Sequence, residues 1–179
     1  MRNRRLVPTE PAADPPAAPV AALFREHHGE LVRLALLMVG DLPTAEDVVQ
    51  DVYASLHSRW SHIAARDAVV LPYVRAAVLN GCRSVLRRRA AARRIGAAHR
   101  DEPPAKSAEN EVILSEDRRQ VLAALARLPR RRREVLVLRY YLGLSEAEIA
   151  AVLGISPGTV KSTAARGLAA LGRDLGEQS

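Results

Sequence analysis

The sequence predicts an all-α fold: two small helical domains joined by a flexible linker, the second a helix-turn-helix domain. Three observations carry this. Apolar residues recur at helical spacing through most of the chain, as in Leu31, Leu34, Ala35 and Met38. Residues 97–110, AAHRDEPPAKSAEN, break the pattern with Pro-Pro and mixed charge. Residues 145–171 then hold two helix start signals on either side of a glycine stop.

The 179 residues suffice for one or two small domains. Lys and Arg number 27 against 20 Asp and Glu, giving a net charge of +7 and a pI near 10.4. This balance favours a polyanionic partner, either nucleic acid or an anionic membrane surface, without choosing between them. Only Lys106 and Lys161 are lysines. Arginine suits bidentate phosphate and guanine contacts, although a GC-rich genome produces the same Arg and Ala bias. Cys82 is the sole cysteine, so no internal disulfide can form, which fits a reducing cytoplasm. The basic N-terminal residues have no apolar run behind them, unlike a secretory signal. No stretch reaches the roughly 20 apolar residues of a membrane span.

Residues 1–19 are Pro- and Ala-rich without periodicity and read as a disordered arm. A first domain is expected over 20–96. Its first helix covers Val20–Val39, with Leu23, Phe24, Leu31, Leu34, Ala35 and Met38 inward and Gly40 as the stop. His27 and His28 are adjacent, so they cannot share one helical face as metal ligands and are expected to face solvent. Thr44 opens the second helix with Asp47 as its capping partner, and Ala45, Val48, Val49, Val52 and Leu56 form the apolar stripe. Glu46, Asp47, Gln50 and Asp51 line the opposite face. The helix macrodipole accounts for Glu46 and Asp47. It accounts less well for Gln50 and Asp51, for which a basic protein partner is the functional alternative.

A third helix is expected over Pro72–Leu79, with a break at Asn80-Gly81. A further helix then carries Arg83, Arg87, Arg88, Arg89, Arg93 and Arg94, with Val85, Leu86 and Ala90 as its modest inner side. Such a run is usually a solvated face, but like charges repel and phosphates would relieve them.

The second domain is expected over 111–175. Val112, Leu114, Val121, Leu122 and Leu125 define its first helix, and Leu128-Pro129 a turn. Arg130, Arg131, Arg132 and Arg133 open the next helix, with Val135, Leu136, Leu138 and Tyr141 inward. Cations there oppose the macrodipole, which mildly favours phosphate binding. Ser145 and Glu148 form a capping box, with Ala147, Ile149, Ala150 and Leu153 inward; Gly154 stops the helix. Ser156 caps the last helix and Pro157 occupies its first position. Val160, Ala164, Leu168 and Leu171 face the core, leaving Thr159, Lys161, Ser162, Ala165 and Arg166 outward. From geometry alone this is equally an ordinary helical hairpin or a DNA major-groove reader.

Two segments carry a family resemblance. The stretch LARLPRRRREVLVLRYYLGLSEAEIAAVLGISPGTVKS resembles the C-terminal domain of bacterial sigma factors of the extracytoplasmic-function group. AEDVVQDVYASLHSRW is similar to the family segment that grips RNA polymerase, and YVRAAVLNGCRSVLRRR to the one that opens and reads the promoter −10 element. The resemblance covers about residues 20–175. It implies a subunit that binds core RNA polymerase and directs initiation at promoters with −10 and −35 elements. Asp47, Gln50 and Asp51 match the residues that bind the coiled coil of the largest polymerase subunit. Asn80–Ser84 match the loop that captures a flipped −10 base, which must be unstacked and held by polar groups. Arg83, Arg87 and Arg88 would hold phosphates, with Tyr73 standing where many members have Trp. Arg130–Arg133, Thr159, Lys161, Ser162 and Arg166 would bind the −35 element. Thr163-Ala164 departs from the family's usual continuation after Lys-Ser.

The resemblance further implies an anti-sigma partner; a cytoplasmic location, no cofactor and no enzymatic activity are expected from the residues themselves. No phosphate-binding glycine loop, HExxH or paired metal-ligand spacing occurs in the sequence. The rival reading is a stand-alone helix-turn-helix regulator, a symmetric dimer on a palindrome. A pure interaction protein whose basic helices bind RNA or an acidic partner is the remaining class.

Overall fold

The computed structural model describes residues 17–60, 70–97 and 116–176. Most of the arm, most of the linker, Val112 and Leu114 lie outside them. The described elements are all helical. In chain order they are α1 (Ala17–Val39), α2 (Leu42–Ser58), α3 (Val70–Ala97), α4 (Glu116–Arg127), α5 (Arg130–Leu136), a π-helical turn (Val137–Tyr141), α6 (Glu146–Leu153) and α7 (Pro157–Gly176).

α1 starts three residues earlier than expected and stops at Gly40, which takes φ 90°. α2 folds back on α1 and is capped by Asp41, not Thr44. The Asp41 carboxylate accepts from the Thr44 backbone N–H at 3.0 Å. The cap therefore lies upstream, Thr44 sits in the first turn, and Asp47 is free of capping. The Asn80-Gly81 break does not occur: α3 is one continuous helix of 28 residues. Glycine's weak helix propensity is overridden there by close packing against α2.

The two halves share a core. One continuous apolar cluster joins Leu31, Leu34 and Met38 of α1, Val49 and Leu56 of α2, and Val74, Val78 and Leu79 of α3. The same cluster takes in Val135, Leu138, Ile149 and Val160 from the second half. A satellite of Leu125, Leu128 and Leu136 packs with Leu37. Cys82 is buried in this core, and burial pushes its thiol up to about 12.

Some expected inward positions differ. Ala90 and Ala147 are exposed, Phe24 is 38% exposed and Leu168 43%. Thr163, one position before Ala164, is buried on the inner face of α7. The histidines are half-buried, not solvated. The His28 ring stacks on Phe24 at a centroid distance of 4.2 Å. Tyr53, absent from the expected stripe, is buried and donates to the Leu23 carbonyl at 3.3 Å.

Candidate nucleic-acid interface

The helix-turn-helix forms as its local signals dictate. The Ser145 hydroxyl accepts from the Glu148 backbone N–H at 3.3 Å. Glu148 returns the contact, accepting from the Ser145 N–H at 2.8 Å. Those hydrogen bonds hold the Glu148 carboxyl below its ordinary value. Gly154 ends α6 in the left-handed region at φ 65°. Ser156 then accepts from the Thr159 N–H at 3.2 Å to start α7.

α7 buries Val160, Thr163, Ala164 and Gly167. A Cβ on Gly167 would lie 3.1 Å from Leu136, so this glycine lets α7 seat closely on α5. The opposite face presents Thr159, Lys161, Ser162, Ala165 and Arg166, all exposed. Arg166 lies along its own helix, donating to the Ser162 carbonyl at 3.1 Å. This face has the polarity and protrusion a major-groove reader needs.

The four arginines of α5 separate. Arg130 and Arg131 are exposed and Arg132 is half-exposed. Arg133 is 7% exposed. It donates to the carbonyls of Met38, Ala126 and Leu128. Burial pushes its guanidinium below its ordinary value, yet arginine stays charged. Arg133 is thus placed to tie helices together, away from the exposed surface on which phosphate contacts were expected. Sequence spacing missed this because the Met38 carbonyl comes from a distant segment, while those of Ala126 and Leu128 come from the end of the preceding helix.

Glu134 was also missed. It is fully buried, and Arg83 of α3 grips it with two hydrogen bonds, Nε to Oε1 at 2.6 Å and Nη2 to Oε2 at 3.0 Å. Those bonds raise the Arg83 guanidinium above its ordinary value. Arg130 and Arg131 lie 3.6 and 3.4 Å from the same carboxylate. Glu134 thereby offsets the unfavourable meeting of cations and helix N-terminus. Its spacing of three and four from Arg131 and Arg130 was the available signal.

In the first half, Asp47, Gln50 and Asp51 are exposed on one side of α2. They border an open groove of about 450 Å³ whose opposite wall includes Arg88 and Arg89 of α3. Arg89 is anchored, donating to Asp41 at 2.8 Å and Thr44 at 2.6 Å. Arg87 and Arg88 are exposed, and Tyr73 in the first turns of α3 is 44% exposed. Asn80 accepts from Arg83 at 2.8 Å. α3 therefore presents Tyr73, Asn80, Arg87 and Arg88 outward, with Arg83 turned toward α5.

Among the described residues no group of His, Cys, Asp and Glu is disposed to hold a metal. No described helix is long and apolar enough to cross a membrane.

Comparison with known proteins shows the family. Residues 23–92 match the family model for sigma-70 region 2, and residues 118–171 that for sigma-70 region 4. The extracytoplasmic-function sigma factor SigL of Mycobacterium tuberculosis is 38% identical over 155 residues, covering 84% of this chain and 85% of its own. The chain belongs to the extracytoplasmic-function sigma factors. SigM of the same organism is 37% identical over 155 residues, 86% of this chain and 76% of its own. The sigma-E factor of Streptomyces coelicolor is 31% identical over 151 residues, 84% and 82%.

In fold, this sigma factor is similar to CnrH in complex with the cytosolic domain of CnrY. The identity is 26%, the coverage 89% of both chains and the TM-score 0.65. It also shares the fold of the sigma factor RpoE of Bartonella quintana, solved with the anti-sigma factor NepR. That likeness has 23% identity, covers 87% and 95%, and has a TM-score of 0.67. As a sigma factor, the protein directs core RNA polymerase to promoters for transcription initiation. The stand-alone regulator finds no counterpart in these matches.

Proposed function

We propose that the sigma factor divides promoter recognition between its halves, residues 20–96 acting on polymerase and the −10 element and residues 111–175 on the −35 element. The observation that carries this is the exposed polar face of α7, backed by the buried Val160, Thr163 and Ala164. Lys161, Ser162 and Arg166 lie nearest the base edges, with Thr159, Arg130, Arg131 and Arg132 on phosphates. Arg133 supports this surface from within. Tyr73, Asn80, Arg83, Arg87 and Arg88 serve the −10 element, where a base leaves the stack and must be held.

Asp47, Gln50 and Asp51 meet a basic surface of core polymerase. Polymerase holds the two halves on one promoter, so each contact can be weak while the pair is strong. Strand opening draws on base capture, without a catalytic residue, cofactor or nucleotide hydrolysis by this subunit. The protein works in the cytoplasm, beside polymerase. CnrH and RpoE were each solved with a bound partner, RpoE with an anti-sigma factor; this supports an anti-sigma partner here too.

Asp51→Lys tests the polymerase contact. Co-elution with core enzyme should fall sharply while helicity and unfolding temperature stay unchanged. Unaltered co-elution would contradict the assignment of this face.

A further inference from the structure

Arg166 is the one arginine among residues 157–172 of α7. Its guanidinium does not project freely. Nε donates to the Ser162 carbonyl at 3.1 Å and Nη2 to the Ser162 hydroxyl at 3.3 Å. The Ser162 hydroxyl gives its own hydrogen to the Thr159 carbonyl at 3.2 Å. The Thr159 hydroxyl in turn lies 2.9 Å from that of Ser156, which starts the helix. A row of polar groups therefore runs along the exposed face of α7 from its cap to Arg166.

The direction of these bonds decides what each group can do. A serine hydroxyl has one hydrogen. That of Ser162 is committed to its own helix, so the hydroxyl can otherwise only accept, and Arg166 donates to it. A guanidinium carries five N–H donors in a rigid plane. The edge formed by Nε and Nη2 is turned to the helix. The edge between the two terminal nitrogens stays open, with one N–H from each. Two parallel N–H groups on that edge match the O6 and N7 acceptors of guanine. A loose arginine would instead sample many rotamers and lose that freedom on binding.

We propose that Ser162 is a positioning residue for −35 recognition: it fixes the Arg166 guanidinium along α7, so that the open edge meets one base pair in one orientation. Ser162 then influences promoter choice through Arg166 and not by a base contact of its own. Exposed bonds of this kind add little to folding, so their consequence is orientation. Thr163 and Ala164, which follow Ser162, are buried and bring no second cation to the face. The inference rests on the assignment of α7 to the −35 element.

The test uses holoenzyme on a promoter mapped by transcription with core enzyme, with a panel of single-base −35 variants. The proteins compared are wild type, Ser162→Ala, Ser162→Thr, Arg166→Ala and the double variant to alanine. Arg166→Ala should lose discrimination at one or two base pairs. Ser162→Ala should lose about three- to tenfold of discrimination at the same base pairs, the scale of one hydrogen bond. In the Arg166→Ala background it should add nothing there. Ser162→Thr keeps a hydroxyl that can bond back to its helix, and should retain wild-type discrimination. Alanine is the better helix former, so unfolding of Ser162→Ala should show no loss of stability.

Unchanged discrimination by Ser162→Ala overturns the positioning role. So does a loss at a different base pair that adds to that of Arg166→Ala, which would make Ser162 a reader in its own right. A Ser162→Thr variant that behaves like Ser162→Ala overturns it too, because the hydroxyl would not be the cause. The premise fails separately and visibly: an equal loss on every variant with Arg166→Ala would remove base reading by Arg166, and the inference with it.

Discussion

Gly81 lies so close to Val48 that a Cβ built on it would stand 2.8 Å from the Val48 Cγ1. This contact lets α3 settle onto α2, the pair that carries both the acidic face and the residues proposed to serve the −10 element. Gly81→Ala should improve helix propensity by ~1 kcal/mol but overpack the contact by ~1–3 kcal/mol. The net expectation is a loss of up to about 2 kcal/mol in denaturant unfolding. In a Val48→Ala background the same substitution has room. There it should be neutral or stabilising, and continued destabilisation would show that the contact is not the cause.

That glycine also shows where sequence reading stops. Asn80-Gly81 has the composition of a break, and only the neighbouring helix explains why it is none. The caps and the glycine stop of the helix-turn-helix were legible to the residue, because Ser145, Glu148, Gly154 and Ser156 act through hydrogen bonds and dihedrals within a few positions of themselves. The Asp41 cap was not read, because Thr44 offered a competing cap one turn later. Arg133 and Glu134 were not legible. They share a charged run with Arg130–Arg132, and their burial comes from α1 and α3, far away in sequence.

Asp41 gives a pH signature. Burial raises its carboxyl, but hydrogen bonds from Thr44 and Arg89 outweigh this and hold it below the ordinary value of 3.8. The folded form therefore binds its proton less readily than the unfolded chain does. The resulting stability is fully present above 3.8 and fades as pH falls through the depressed value. Asp41→Ala should cost about 1 kcal/mol at neutral pH, the usual worth of an N-cap. The gap between wild type and variant should narrow only in the acid range below the ordinary carboxylate value. A gap that is constant with pH would contradict this account.

Arg133 and Arg131 should behave oppositely despite lying two positions apart. Arg133→Met leaves the Met38 and Ala126 carbonyls without their donor, and should cost more than about 2 kcal/mol of stability. Arg131→Ala removes an exposed charge and should cost below about 1 kcal/mol. Its effect should appear instead in promoter binding by the holoenzyme, where the slope of log affinity against log salt falls by about 1. Chemical unfolding and salt-dependent footprinting separate the two.

The exposed face of α7 should set promoter choice. Lys161→Ala and Arg166→Ala are each expected to lose about 1–3 kcal/mol of discrimination at one or two −35 base pairs. Unfolding should be unaffected, because both side chains are exposed. Transcription from a panel of single-base −35 variants reads this directly. An equal loss on every variant would place these residues on phosphates.

The central claim, promoter-directed initiation through two elements, is tested most directly by transcription in vitro. Purified protein is added to sigma-free core polymerase on fragmented genomic DNA from its source, and transcript starts are mapped. The account predicts new starts that share two upstream elements, near −10 and −35, and their loss with Asp51→Lys. Absence of new starts, with the protein alone shifting a palindromic duplex, would contradict it.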